Sequence, residues 1–95
     1  MNETLKQKIR DIFKIVNGEI YQLLKTQKGS VFYSSAVFHE ENEELFVLLD
    51  TEMIRVCDIV WVLRRGYLPK GWFVDYVNDD RRDYSVNNLC VRPNL

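Results

Sequence analysis

The sequence predicts an α+β fold: a small antiparallel sheet with helices, in one domain spanning residues 1–95. Three observations lead there. A length of 95 residues fits one small domain. Short runs of β-branched and aromatic residues alternate with turn signals, while two other stretches space their apolar residues as helices do. With 46% hydrophobic and 13% aromatic residues, the chain is too apolar for a disordered tail, and it can bury a modest core.

The elements follow in order. "NETLKQKIRDIFKIV" places Leu5, Ile9, Ile12, Phe13 and Val16 at helical spacing. Asn2 or Thr4 can cap this helix, and Glu3 suits its start. Asn17-Gly18 marks a turn between two strand-like runs, so the helix is expected to stop well before Val16. "EIYQLLKT" reads as a strand, "QKGS" as a turn, and "VFYSSAVFH" as a second strand. "EENEE" is a polar, acidic tip, and "LFVLLD" is a third, largely buried strand. In "EMIRVCDIVWVLRRG", Ile54, Cys57, Ile59, Val60 and Trp61 fit a helix that Gly66 stops and that Pro69 cannot continue. "GWFVDYV" is a short strand, "NDDRRD" a loop, and "SVNNL" one or two helical turns capped by Ser85 or Asp83. Residues 1–52 are thus a helix with a strand-rich lead-in, and residues 53–95 a helix followed by a strand, loop and helix.

Charge and cysteine content narrow the function classes. The net charge of −1 lacks the footprint of a strongly basic nucleic-acid binder. Its distribution is uneven. Residues 1–35 hold six Lys/Arg and three Asp/Glu, residues 36–52 hold six acids and no Lys/Arg, and residues 63–95 hold six bases and four acids. Solvated turns explain this pattern, and so does an acidic lobe able to meet a basic partner. Cys57 and Cys90 form no CxxC pair, and His39 is the sole histidine, which is too little for structural zinc. Free thiols are the expectation. No apolar run approaches the roughly 20 residues of a membrane span. The charged start "MNETLKQKIRDIF" has no signal-peptide core, so a cytosolic location is expected.

An ordered set of residues carries a family resemblance. Ile59, Val60 and Trp61 are followed by Gly66, Pro69 and Gly71, then Val74-Asp75, Asn78, Asp80, Asp83 and the pair Asn88-Leu89. In that order and spacing, residues 53–89 resemble the HNH domain of phage-type homing endonucleases. The upstream "NGEIYQLL" and "KGSVFYSSA" fit the strand-rich lead-in of those proteins more loosely. The resemblance implies a C-terminal ββα motif and chemistry in which a divalent cation, held by a carboxylate, stabilises the departing oxygen. A histidine near neutral pKa takes the proton of the attacking water.

Several positions depart from that pattern. Asp75 stands at the carboxylate position and is a vestigial metal candidate, or simply a hydrogen-bonded loop residue. Tyr76 occupies the base position, and a phenol with pKa about 10 is a poor base at pH 7. Asn88 stands at the central asparagine position and Asn78 in the loop it supports, both structural roles. The family's last ligand falls near Asn94, where Pro93 and the spacing disfavour it, so that ligand is expected to be missing. Cys57-Asp58 replace His-Arg, Asp79 a glycine, Tyr84 an asparagine, and Ser85 and Cys90 arginines. His39 lies at a strand end and is not expected to rescue the site.

Binding remains as a function. Arg64, Arg65, Lys70, Arg81, Arg82 and Arg92 cluster around the motif, interleaved with Tyr67, Trp72, Phe73 and Tyr84. This composition suits base stacking or a protein-binding hot spot, or it divides between core packing and solvated charge. The contact residues put forward are Arg64, Arg65, Tyr67, Lys70, Trp72, Arg81, Arg82 and Tyr84. The resulting expectation is a catalytically inactive, HNH-derived phage-type protein with no cofactor, which binds and inhibits a host or defence protein in the cytoplasm of a bacterial host. DNA binding and metal-dependent DNA cleavage are the alternatives, and a divalent metal belongs only to the last.

Overall fold

The first helix, α1 (Glu3–Ile12), begins after extended Asn2, whose Oδ1 caps it by accepting the Leu5 N–H at 2.8 Å. The computed structural model describes residues 1–95. Phe13 turns extended, and the chain runs directly into β1 (Phe13–Val16). Asn17 and Gly18 both adopt positive φ, 52° and 77°, the backbone that a two-residue hairpin demands. They join β1 to β2 (Glu19–Lys25), which pairs on its other side with β3 (Val31–Ser35). The result is an antiparallel ribbon in the order β1-β2-β3.

A second sheet follows in the order β4-β5-β6, formed by β4 (His39–Glu41), β5 (Glu44–Leu49) and β6 (Glu52–Arg55). Helix α2 (Val56–Arg64) is the centre of the molecule. Val56, Cys57, Ile59, Val60, Trp61 and Val62 are all buried, and the helix touches α1, β1, β5, β6 and the elements that follow it. Gly66, at φ 79°, closes it by donating its N–H to the Trp61 carbonyl at 3.1 Å. After α2 come β7 (Trp72–Tyr76), a single 3-10 turn (Val86–Asn88) and β8 (Leu89–Pro93). β7 and β8 pair antiparallel, with Asp75 opposite Cys90 and Tyr76 opposite Leu89.

One hydrophobic cluster links these parts, with Ile9, Phe13, Ile20, Val47, Ile54, Ile59 and Val74 among its buried members. Each such side chain contributes about 1.5–3 kcal/mol by leaving water. A buried ammonium adds a polar tie: Lys6 Nζ reaches the Leu68 carbonyl at 3.3 Å and Glu3 at 3.1 Å, and Arg10 donates to the Gly66 carbonyl. These contacts fasten α1 to the loop ahead of β7.

The class is α+β, and three details differ from the sequence reading. Residues 52–55 are strand β6 rather than the first turn of the helix, because Arg55 is extended (φ −63°, ψ 135°) and β6 finds a partner in β5. The strands form three small sheets, not one. The C-terminal segment runs strand, loop, 3-10 turn, strand, an arrangement compatible with the expected ββα motif but with its helical part shortened. Leu89 to Pro93 find five partners on β7, and that pairing ends the helical turn after three residues. No helix is long and apolar enough to cross a membrane.

Candidate functional site

Strand β7 alternates its side chains, so consecutive residues Asp75 and Tyr76 point to opposite faces. Tyr76 is turned into the protein and buried. Its hydroxyl donates to Glu44 Oε1 at 2.5 Å. The same oxygen accepts the Arg55 Nε–H at 3.2 Å and lies 3.7 Å from the Cys57 thiol. Arg55 also donates to the Val74 carbonyl at 3.0 Å and stands 3.7 Å from Asp58. One carboxylate from β5 therefore gathers groups from β6, α2 and β7.

The electrostatics follow from this burial. Desolvation first, then the bonds to Cys57 and Glu44, push the Tyr76 phenol far above its ordinary value. Burial, aided by nearby Asp58, pushes the Cys57 thiol up to about 12. Burial also raises the Asp58 carboxyl, against the pull of Arg55. Arg55 is opposed by its own burial, but the surrounding Cys57, Asp58, Glu44 and Tyr76 outweigh it and hold the guanidinium more firmly charged. Tyr76 is thus a protonated donor committed to an inward partner, and it presents no base to solvent.

Asp75, on the other face, is also engaged. Its Oδ1 accepts the Tyr76 backbone N–H at 2.8 Å, and its Oδ2 accepts the Arg92 Nε–H at 2.7 Å. Partial burial works to raise its pKa, but the backbone bond and then Arg92 prevail and hold it below the usual carboxylate range. The hard divalent cation of an HNH centre needs several oxygen ligands. Here no group of three or more His, Cys, Asp or Glu side chains converges, and a guanidinium already sits on the one carboxylate in position. The residues present do not fit such an ion.

The loop beyond β7 is held by Asn88. Its Oδ1 accepts the Asn78 N–H at 3.1 Å, and its amide donates to the Asp83 carbonyl at 2.9 Å and the Asp80 carbonyl at 3.4 Å. Asn78, Asp80 and Asp83 each accept a backbone N–H two residues on, at Asp80, Arg82 and Ser85. Residues 78–85 are therefore a chain of side-chain-supported turns closed by one buried asparagine.

The proposed contact residues fall in separate places. Arg64, Arg82 and Tyr84 line one cleft of about 400 Å³, floored by Ile15, Val60 and Val86. Arg81 lies 3.9 Å from Glu44 Oε2 and lines a different cleft, of about 480 Å³, with Phe73 and Asp75. Tyr67 packs edge-on against Trp61 at 5.7 Å, and its carbonyl accepts the indole N–H. Arg65 is exposed at the end of α2, Lys70 is exposed near Leu68, and Trp72 is partly exposed opposite Pro93. His39 opens β4, exposed, across from Phe46.

The acidic segment is part of this site, which the sequence did not suggest. Glu40 pairs with Arg82, Glu44 faces Arg81, and Phe38 meets Tyr84 edge-on at 5.5 Å. The acids of β4 and β5 thus neutralise part of the basic loop within the same chain. Glu44 itself sat unnoticed at the end of "EENEE". Its principal partner, Tyr76, lies 32 residues further on, so no local pattern announces the contact.

The comparison with protein families agrees with this geometry. A family model described as HNH endonuclease matches residues 58–95, about two-fifths of the chain, which holds most of α2, β7, the asparagine-held loop and β8. No curated protein and no solved structure matches the chain. Residues 58–95 are an HNH-like domain, carried by an α+β chain.

Proposed function

We propose that the protein acts by binding, on an HNH-like frame that does not hydrolyse phosphodiesters. The observation that carries this reading is the inward commitment of Tyr76. The residue at the base position donates a hydrogen bond to buried Glu44, and its neighbour Asp75 is held by Arg92. A hydrolytic centre needs a proton acceptor aimed at water and an open carboxylate for the ion. Losing the general base alone commonly costs about 10²- to 10⁴-fold in rate.

The target in this reading is a host or defence protein, inhibited by direct contact. A frame resembling phage-type endonucleases belongs in phage or prophage genomes, where a small binding protein meets such enzymes. Exposed arginine beside aromatic residues, as at Arg64, Arg82 and Tyr84, is the composition of protein-binding hot spots. A phosphate-tracking surface would carry a larger excess of base than a net charge of −1 and the internal Glu40–Arg82 pair provide.

Incubation with supercoiled plasmid and Mg²⁺ or Mn²⁺ tests the first part. No nicking is expected, from the native chain or from Tyr76→His. Metal-dependent nicking that Asp75→Ala abolishes would overturn it. Capture from nuclease-treated bacterial lysate tests the second part. Retention of DNA with a steep salt dependence, and of no protein, overturns the protein-target reading in favour of DNA binding.

A further inference from the structure

The ribbon β1-β2-β3 ends in an edge that nothing covers. β3 pairs with β2 alone, and Val31, Phe32 and Tyr33 are 62%, 48% and 43% exposed. The stretch from Gly29 to Phe38 holds no charged residue and no proline, the usual means by which an edge strand is blunted. Apolar side chains lie on both faces of the ribbon's far half. Leu24 and Phe32 are exposed on the face that continues from the core, and Val31 and Tyr33 on the other. Lys14 Nζ sits 3.8 Å over the Tyr33 ring.

The hydrogen-bond phase of this edge is determined. Ala36 donates to the Ile20 carbonyl, and Thr26 donates to the Ser30 carbonyl. In an antiparallel ladder the residues between them alternate. Ser30, Phe32, Ser34 and Ala36 turn their backbone groups toward β2, so Val31, Tyr33 and Ser35 turn theirs outward. Tyr33 is the middle residue of β3, and it is one of the outward-facing set.

We propose that β3 pairs antiparallel with β3 of a second copy of this chain, about a two-fold axis through Tyr33. Tyr33 then exchanges both backbone bonds with its counterpart, and Val31 pairs with Ser35 on each side. Every outward-facing residue of the strand finds a partner, and the two ribbons become one six-stranded sheet. A two-fold axis requires a self-complementary patch, and this strand has its outward residues placed symmetrically about its centre. Charge agrees with the arrangement. Lys25 at the end of β2 and Lys28 in the turn stand at one end of the ribbon, while the other end leads towards Glu41 and Glu43, the acids of that segment that no base engages within the chain. Antiparallel pairing sets each basic turn beside the partner's acidic end.

Sedimentation velocity on the full chain, from micromolar to near-millimolar concentration, is the test. The native chain is expected to pass from one to two chain masses as concentration rises. Tyr33→Pro removes an outward N–H while leaving the bonds to β2 in place, and Val31→Lys puts a charge on each side of the axis at a side chain already in solvent. Both are expected to stay monomeric where the native chain is dimeric, with unchanged far-ultraviolet circular dichroism. Should Tyr33→Pro misfold, Val31→Lys carries the test. A native chain that stays monomeric throughout overturns the proposal and leaves the edge to a foreign strand, and so does a dimer that Val31→Lys preserves. The outcome is independent of whether the chain cleaves DNA.

Discussion

In the β7–β8 motif, Asp75, Asn78, Asp80, Asp83 and Asn88 each accept a backbone or side-chain hydrogen within the motif. In the β1–β3 ribbon, the outward backbone groups of Val31, Tyr33 and Ser35 have no partner in the chain. Both regions are small antiparallel sheets, and they differ in where their bonding capacity goes. The motif uses its polar groups to hold its own shape, and even the position expected to carry a base is tied inward. The ribbon leaves capacity directed at whatever lies outside. The resemblance to an enzyme therefore falls on the part whose polar groups are satisfied from within, whereas the unpaired strand edge lies in the loosely resembling lead-in.

That contrast can be broken by substitution, and the largest effect should come from Glu44. Glu44→Ala strips Tyr76, Arg55 and Cys57 of their shared acceptor. Removing one partner of a buried charge pair costs about 3–5 kcal/mol, and the partial exposure of Arg55 places this one near the lower figure. Urea unfolding measures it. Asn88→Ala should follow at about 2 kcal/mol, since it leaves the Asn78 N–H and two carbonyls without their bonds. A loss under half that for either variant would mean that the motif is not held from within.

Alkaline pH should sharpen the contrast next. Burial raises both the Cys57 thiol, to about 12, and the Tyr76 phenol, so the unfolded chain ionises first at each group. The stability these groups contribute is complete below their unfolded values, near 8.5 and 10, and is lost as pH rises beyond them. The slope should approach about 1.4 kcal/mol per pH unit for each group, and Tyr76→Phe should lose one of the two contributions. In acid the sign reverses for Asp75. Its lowered pKa adds stability above about pH 4 that disappears as pH falls through the folded value. Asp58, which burial raises, acts in the opposite sense. Comparing Arg92→Ala with the native chain cancels Asp58, and the half-exposed pair should be worth no more than about 1 kcal/mol. The smallest effect belongs to the ribbon: Val31→Lys should change monomer stability by less than about 0.5 kcal/mol. A larger loss would mean that β3 is part of the core after all.

Much of the frame was legible in the sequence because its signals are local. Asn17-Gly18 announces a hairpin, Gly66 ends a helix, and the asparagines and aspartates of residues 78–83 make turns from their own side chains. What escaped depends on distance along the chain. "EMIR" has apolar spacing compatible with helix or strand, and only its pairing with β5 decides. "LCVRP" alternates as a strand does, but its reality rests on β7, and its formation cut the expected closing helix to three residues. Glu44 read as one more acid on a solvated tip, while Tyr76 read as a residue facing a ligand. Each changes meaning only when the other is beside it.

The Asp75–Arg92 pair also bears on what cleavage would require of such a chain. On the binding reading proposed above, ion-dependent hydrolysis would need a base at residue 76, Glu44 released from its buried partners and Arg92 lifted off Asp75. The second of these changes leaves Tyr76, Arg55 and Cys57 without their shared acceptor. The paired contacts therefore couple residues 75 and 76 to the interior: a change at either one is felt at Arg92 or at Glu44.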